Sequence, residues 1–283
     1  KPKQGLMQWK IDPNTNKKIG VEFKENHTIG HVFIHEMPLR DQNGNEYDNL
    51  YLSGTDSIDI GKNDTAVTNK KGSDFCIVIK RKMLGMQQPC YVAYYKDRPA
   101  DIRTAYDQAA MLLIYYNCKT NLEFTRVGMF NYFKQNKWTK LFAPRPMVGY
   151  PNGKRPKSGI IQYGTPSREN IINHGIELIC DFIYDNYYTM VFPEMIDQLL
   201  TWNYLSKRKF DIVAAMQMCE IYDEDTAFRV PKTYETKVNT RNVGWYTNAK
   251  GYKQFGIIPE KIQKEMDDYE QSRIGNYRSW LNS

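Results

Sequence analysis

Asn49-Leu-Tyr-Leu-Ser-Gly-Thr-Asp56 reads as a strand that is apolar along its length and ends on a carboxylate. The segments after it decide the fold. A polar segment, Ile58 to Ser73, carries Gly61 and Gly72 and reads as a loop. Phe75-Cys-Ile-Val-Ile79 is a run of β-formers, and a turn at Gly85 to Pro89 leads to a third such run, Tyr91-Val-Ala-Tyr-Tyr95. Three strands joined in succession predict an antiparallel meander. The period then changes. From Ala100 to Asn117, Ile102, Ala105, Tyr106, Ala109, Leu113 and Tyr116 recur at helical spacing behind Pro99, a residue tolerated at a helix start.

Downstream, Thr120 to Phe124 reads as a short strand carrying Glu123, followed by a helix near Val127 to Lys134, a basic loop region and a strand near Ile160 to Tyr163. Three helices fill Ser167 to Tyr222, interrupted near Pro193 and Ser206, and the last opens with Phe210-Asp-Ile-Val-Ala-Ala-Met216. The order β-β-β-α-β-α with further helices predicts an α/β protein, a mixed sheet with helices on its faces. Upstream, His31 to Met37 is extended and Asp41-Gln-Asn-Gly-Asn carries an Asn-Gly turn signal. Residues 1–30 are polar and turn-rich, with Asp12-Pro-Asn-Thr-Asn as a loop. The expected division is an extension or linker over 1–30, the main domain over 31–225 and a basic, aromatic extension over 226–283.

The chain has 283 residues, 41% of them hydrophobic and 25% charged, enough for a sizeable core. No apolar run approaches the ~18 residues of a membrane span, and no signal peptide is visible. The first residue is Lys1 rather than Met, as expected of a part excised from a longer polypeptide. Five cysteines without C-x-x-C spacing, most inside apolar runs, read as buried reduced thiols. His27, His31 and His35 are spaced by four, but the β-formers between the last two predict a strand, which would hold those rings about 13 Å apart. A zinc site is not expected there.

Net charge is +7 and unevenly spread. Lys134 to Arg168 contains eight basic residues and no acidic one, with Trp138, Phe142, Tyr150 and Tyr163 interleaved. Arg229 to Phe255 carries six basic residues against Glu235 alone. A field of one sign mixed with aromatic rings suits a polyanion, and nucleic acid is the expected partner. Lys137, Lys140, Arg145, Lys154, Arg155, Lys157 and Arg168 are the expected phosphate contacts.

Against that basic background three acids stand out by position. Asp56 and Glu123 close strands, and Asp211 opens a helix. Carboxylates gathered at strand ends and a helix start form a hard oxygen set suited to Mg²⁺ or Mn²⁺, and a pair of such ions about 4 Å apart hydrolyses phosphodiesters. Taken singly, each acid could be ordinary surface charge, and Asp211 simply a favourable helix-start charge. Asp59 could add a further ligand, and Asp74 could be no more than a strand-start residue.

Four blocks make the chain resemble the nuclease domain of tailed-bacteriophage large terminases: Tyr51-Leu-Ser-Gly-Thr-Asp56; Asp74-Phe-Cys-Ile-Val-Ile79; Val92-Ala-Tyr-Tyr-Lys-Asp-Arg-Pro99 with its helix and Glu123; and Phe210-Asp-Ile-Val-Ala-Ala-Met216. The likeness covers roughly residues 30 to 225. It implies a ribonuclease-H-like sheet in which the first strand is central and the strand after the first helix lies beside it in parallel. It also implies that Asp56, Glu123 and Asp211 bind two metal ions, with Asp56 bridging. The family often has two adjacent acids at the last motif. Here Phe210 precedes Asp211, which leaves the fourth ligand to Asp59 or a water. The implied activity is cutting of concatemeric double-stranded DNA during genome packaging, in the host cytoplasm and transiently at the prohead portal. The implied partners are an ATPase motor, a small terminase subunit and the portal. No G-x-x-x-x-G-K-[ST] occurs in the sequence, so the chain would be the nuclease part without the motor. A resolvase- or transposase-like nuclease and a non-catalytic DNA-binding packaging module are the alternatives.

Overall fold

A computed structural model describes residues 1–58, 73–156, 160–203, 210–226, 243–248, 251–259, 261, 262 and 264. Asp59, Lys157 and residues 227–242 of the second basic stretch lie outside them. The opening octapeptide supplies β4 (Tyr51–Asp56), followed by β5 (Phe75–Arg81) and β6 (Cys90–Asp97) in the expected antiparallel meander. All of β5 is buried. Its sequence shows no polar alternation because helices cover both faces of the sheet, so neither face has to be wettable.

The amphipathic stretch forms α1 (Ile102–Tyr115). Asp101 caps it by accepting from the Arg103 N–H, and Asn117, at φ 47°, takes the chain out of the helix. α1 carries the chain back to β7 (Thr120–Leu122), which pairs with β4 in parallel, Gly54 opposite Asn121 and Thr55 opposite Leu122. On the α1 face Thr120 Oγ1 lies 2.7 Å from Thr55 Oγ1 and takes a 3.1 Å bond from Ser53 Oγ, so the buried hydroxyls of this pair satisfy one another.

α2 (Gly128–Gln135) packs on the α1 side, and α3 (Glu169–Asn186), α4 (Pro193–Thr201) and α5 (Asp211–Thr226) form the layer on the other. α5 is buried almost all round, between the sheet below and α3 and α4 above, which is why its sequence lacks a polar face. No helix among the described residues is long and apolar enough to cross a membrane.

Two expectations are corrected. Residues 1–30 are not a linker: β1 (Lys3–Ile11) and β2 (Lys18–Glu25) form a hairpin that extends the sheet through β3 (Val32–Ile34), giving the order β2-β1-β3-β6-β5-β4-β7. The hairpin is polar because it lies at the sheet's edge and buries little besides Gly5 and Met7. The Met7 backbone is held to α1 from both sides, its N–H donating to Gln108 Oε1 and its carbonyl accepting from Gln108 Nε2. Ile160 to Tyr163 forms no continuous strand: Ile160 and Ile161 are exposed, and the extended contact is confined to its end, where Tyr163 bridges Pro144 antiparallel. A second bridge follows just beyond it, where Thr165 meets Glu123 in parallel past β7. Gly164, at φ 71°, breaks regular extension there, and the Arg145 side chain takes the carbonyls of Tyr163 and Gly164.

Lys1–Tyr234 forms one compact unit and Glu235–Ser283 another. In the second, β8 (Val243–Thr247) and β9 (Lys253–Ile257) pair antiparallel around a turn closed at Asn248 and Gly251.

Candidate functional site

Side chains of β4 alternate between layers, so Leu52, Gly54 and Asp56 face α5. The parallel register sets Glu123 beside Asp56, its N–H donating to the Thr55 carbonyl at 3.0 Å. The two carboxyls stand side by side on the wall of one pocket. Burial first, then the charge and closeness of Glu123, then the Asp211 charge push the Asp56 carboxyl well above its usual range, while Arg126 opposes the shift.

Asp211 reaches the same place from α5, which runs across β4 at very short range. A Cβ on Gly54 would lie 2.1 Å from the Ala215 carbonyl oxygen and 2.2 Å from the Cys219 nitrogen. Glycine is therefore required for the helix to approach, and a glycine inside a strand is a sequence signal for such contact. At the start of α5 the Ile212 N–H donates to Gln198 Oε1 of α4. Asp211 is 6% exposed. Burial raises its carboxyl to about 6, opposed by an N–H from Asp74, with the Asp74 charge raising it further and Lys96 countering. Asp56, Cys76 and Lys96 sit directly across from one another on β4, β5 and β6. Lys96 Nζ in turn pairs with Glu194 at 2.5 Å and Asp74 at 3.5 Å. A row of charge thus runs from Glu123 to Lys96 over the strand ends, with Asp211 above its middle.

The structure brings Asp56 and Glu123 into contact and holds Asp211 near them, turned toward Asp74. Among the described residues no three His, Cys, Asp or Glu side chains are close enough together to hold a metal ion. The donors present fit a hard divalent cation all the same: two adjacent carboxyl groups in one pocket offer hard oxygen ligands, and a cation would relieve the repulsion between them. Asp74, read from the sequence as a strand-start residue, stands closer to this group than its position suggested. Of the other sequence readings, His31 and His35 flank strand β3 and are exposed, and Cys76, Cys90, Cys118 and Cys219 are buried free thiols while Cys180 is exposed.

The basic residues do not form one surface. Arg145 is consumed internally, with its guanidinium on Gly164, Gln162 and Tyr163, so it is corrected from phosphate contact to structural clamp. Lys140 lines a hollow with Asn49, Asn117 and Lys119, at the starts of β4 and β7, the end opposite the acids. Lys137 precedes Trp138, which packs on Trp9 in the α1 layer. Arg155 pairs with Asp225 at 3.6 Å, at the far end of α5, and Lys154 is its exposed neighbour. Of the expected contacts among the described residues, only Arg168, exposed beside the pocket residue Ser167, belongs to the acid end. Sequence reading missed Arg126, which lines that pocket with Asp56 and Glu123. Its position three residues after Glu123 was the available signal.

No protein-family model matches the chain, and no curated protein matches it.

Proposed function

We propose that the chain is a metal-dependent endonuclease with a ribonuclease-H-like core, similar to the part of a phage large terminase that cuts concatemeric double-stranded DNA. The observation that carries this reading is the adjacent pair Asp56 and Glu123, set at the C-terminal ends of neighbouring parallel strands with Asp211 beside them. The strand order β6-β5-β4-β7, three antiparallel and then one parallel, supports the core assignment. When bound, Mg²⁺ or Mn²⁺ supplies an activated water and stabilises charge on the leaving oxygen. Asp56 and Glu123 would hold the cation, and Asp211 would complete the acid set from α5. A motor domain, a small terminase subunit and a portal are the partners this reading proposes, with action in the host cytoplasm at the prohead.

The test is incubation with supercoiled plasmid and Mg²⁺ or Mn²⁺, beside a chelator control. Cutting should require the ion. Asp56→Ala, Glu123→Ala and Asp211→Ala should each reduce it at least a hundredfold without lowering the melting temperature, because relieving close like charges need not destabilise the fold. Activity retained in any two of the three would remove the triad. Preference for a four-way junction over linear duplex would move the reading to a resolvase.

A further inference from the structure

At the end of α5 opposite Asp211 lies an exposed aromatic face that the fold does not use. α3 buries Ile171, Gly175, Ile179 and Phe182 against its neighbours. On its outer side Tyr184 is 86% exposed, and the 3-10 turn Tyr187–Thr189 that follows leaves Tyr187 and Tyr188 68% and 61% exposed. The rings of Tyr187 and Tyr188 meet edge to face at 5.6 Å. Their backbone is fixed to the sheet, because the Cys90 thiol donates to the Thr189 carbonyl at 3.3 Å. Three rings left in water on one rigid helix end are an interaction surface rather than scattered exposure.

The charge beside the rings selects the partner. A hollow separates the end of α3 from the β5–β6 turn, with Asp181 and Asp185 on one side and Met83 and Pro89 on the other. Its two lysines are spent inside the fold, Lys80 on Glu220 and Asp223, and Lys82 on the Thr226 carbonyl and hydroxyl. Glu224, also in its wall, is taken by His174 at 2.7 Å. Asp181 and Asp185 are exposed and have no ion-pair partner among the described residues. They stand four residues apart toward the C-terminal end of α3, where like charges repel and the helix dipole disfavours an anion. The last turn of α3 holds no basic residue to compensate. Unpaired carboxylates beside open rings match arginine, whose guanidinium pairs with the acid and stacks on the ring. A polyanion would be repelled here.

We propose that Tyr184, Tyr187 and Tyr188, with Asp181 and Asp185, dock an arginine-rich segment of a partner protein. Its guanidinium groups pair with the two carboxylates and its planar heads and stems cover the rings. The face lies apart from Asp56 and Glu123, so docking and cutting are independent.

Binding of a fluorescein-labelled dodecapeptide of alternating arginine and alanine to the full chain is measured by anisotropy at about 0.15 M salt. The peptide should bind, its lysine counterpart about threefold more weakly for want of stacking, and its glutamate counterpart not at all. Asp181→Asn combined with Asp185→Asn should weaken arginine-peptide binding about fivefold, and Tyr184→Ala about threefold. Asp181→Glu combined with Asp185→Glu, which keeps the charge, should bind as the wild type does. All of these side chains are exposed, so melting temperature and plasmid cutting should not change. No binding by the wild type, or equal binding by the wild type and the double Asn variant, would overturn the proposal. Displacement of the peptide by excess unlabelled duplex would put it on a DNA track and overturn it as well. So would a wild-type dimer in sedimentation velocity that Tyr184→Ala dissociates, since the face would then belong to a second copy of the chain.

Discussion

Asp211 illustrates how much a residue's surroundings change its chemistry. In the unfolded chain its carboxyl ionises near 3.8, and in the folded protein burial moves that to about 6. Between those values the folded state keeps a proton that the unfolded state releases, so this group's contribution to stability falls as pH rises from about 4 to 6 and stays lower above. Asp211→Asn removes the penalty and keeps an acceptor for the Asp74 N–H. In chelator, the variant should melt with the wild type near pH 3.5 and a few degrees above it at pH 7, followed by circular dichroism across the window. A variant that melts below wild type at pH 7 would show that the carboxylate is held by more than its surroundings account for. Adding Mg²⁺ at pH 7 should raise the wild type and leave the variant nearly unmoved, since a cation offsets the same repulsion.

The contact between α5 and β4 is the element on which the site depends. Gly54 lets the helix backbone come down onto the strand, and Asn121 Nδ2 anchors it by donating to the Met218 carbonyl at 2.9 Å. At the other end Lys80 Nζ lies 2.5 Å from Glu220 and 2.8 Å from Asp223, and Tyr91 OH donates to Glu220. These buried charges are matched within one network, which fixes the helix's register along the strand. Gly54→Ala should therefore do two things at once. A methyl group 2.1 Å from the Ala215 carbonyl oxygen cannot be accommodated without moving the helix, at a cost of about 3 kcal/mol or more. The same movement carries Asp211 away from Asp56. Denaturant unfolding should show the loss of stability, and plasmid cutting should fall even at a temperature where the variant is fully folded. Full activity in a destabilised variant would separate α5 placement from the site.

Across the whole molecule, charge is less organised than the sequence made it look. If Arg168 is the exposed cation of the basic stretch nearest the acids, Arg168→Gln should lower the salt slope of duplex binding by about 0.9. The pair Lys137→Gln and Lys140→Gln should leave it unchanged, and the reverse result would put the DNA track on the α1 face. Local pattern alone was enough for the meander of β4, β5 and β6, for the long helix after Pro99, for the break near Pro193, and for acids at two strand ends and a helix start; Ser206 lies outside the described residues. Each of these depends on periodicity, turn chemistry and capping within about twenty residues. The β1–β2 hairpin escaped that reading, because an edge hairpin with one wetted side looks like a polar loop until its partner β3 is known. The contact of Asp56 with Glu123 was expected only through a likeness to other nucleases, since a parallel register between segments joined by a helix leaves no mark in either one. Arg145 looked like its basic neighbours until the Gly164 turn presented carbonyls to it. The sequence by itself determined the elements and the residues at their ends. Which ends meet, and which charges are thereby spent inside the protein, was decided by tertiary structure, because pairing energy belongs to contacts between segments rather than to the segments themselves.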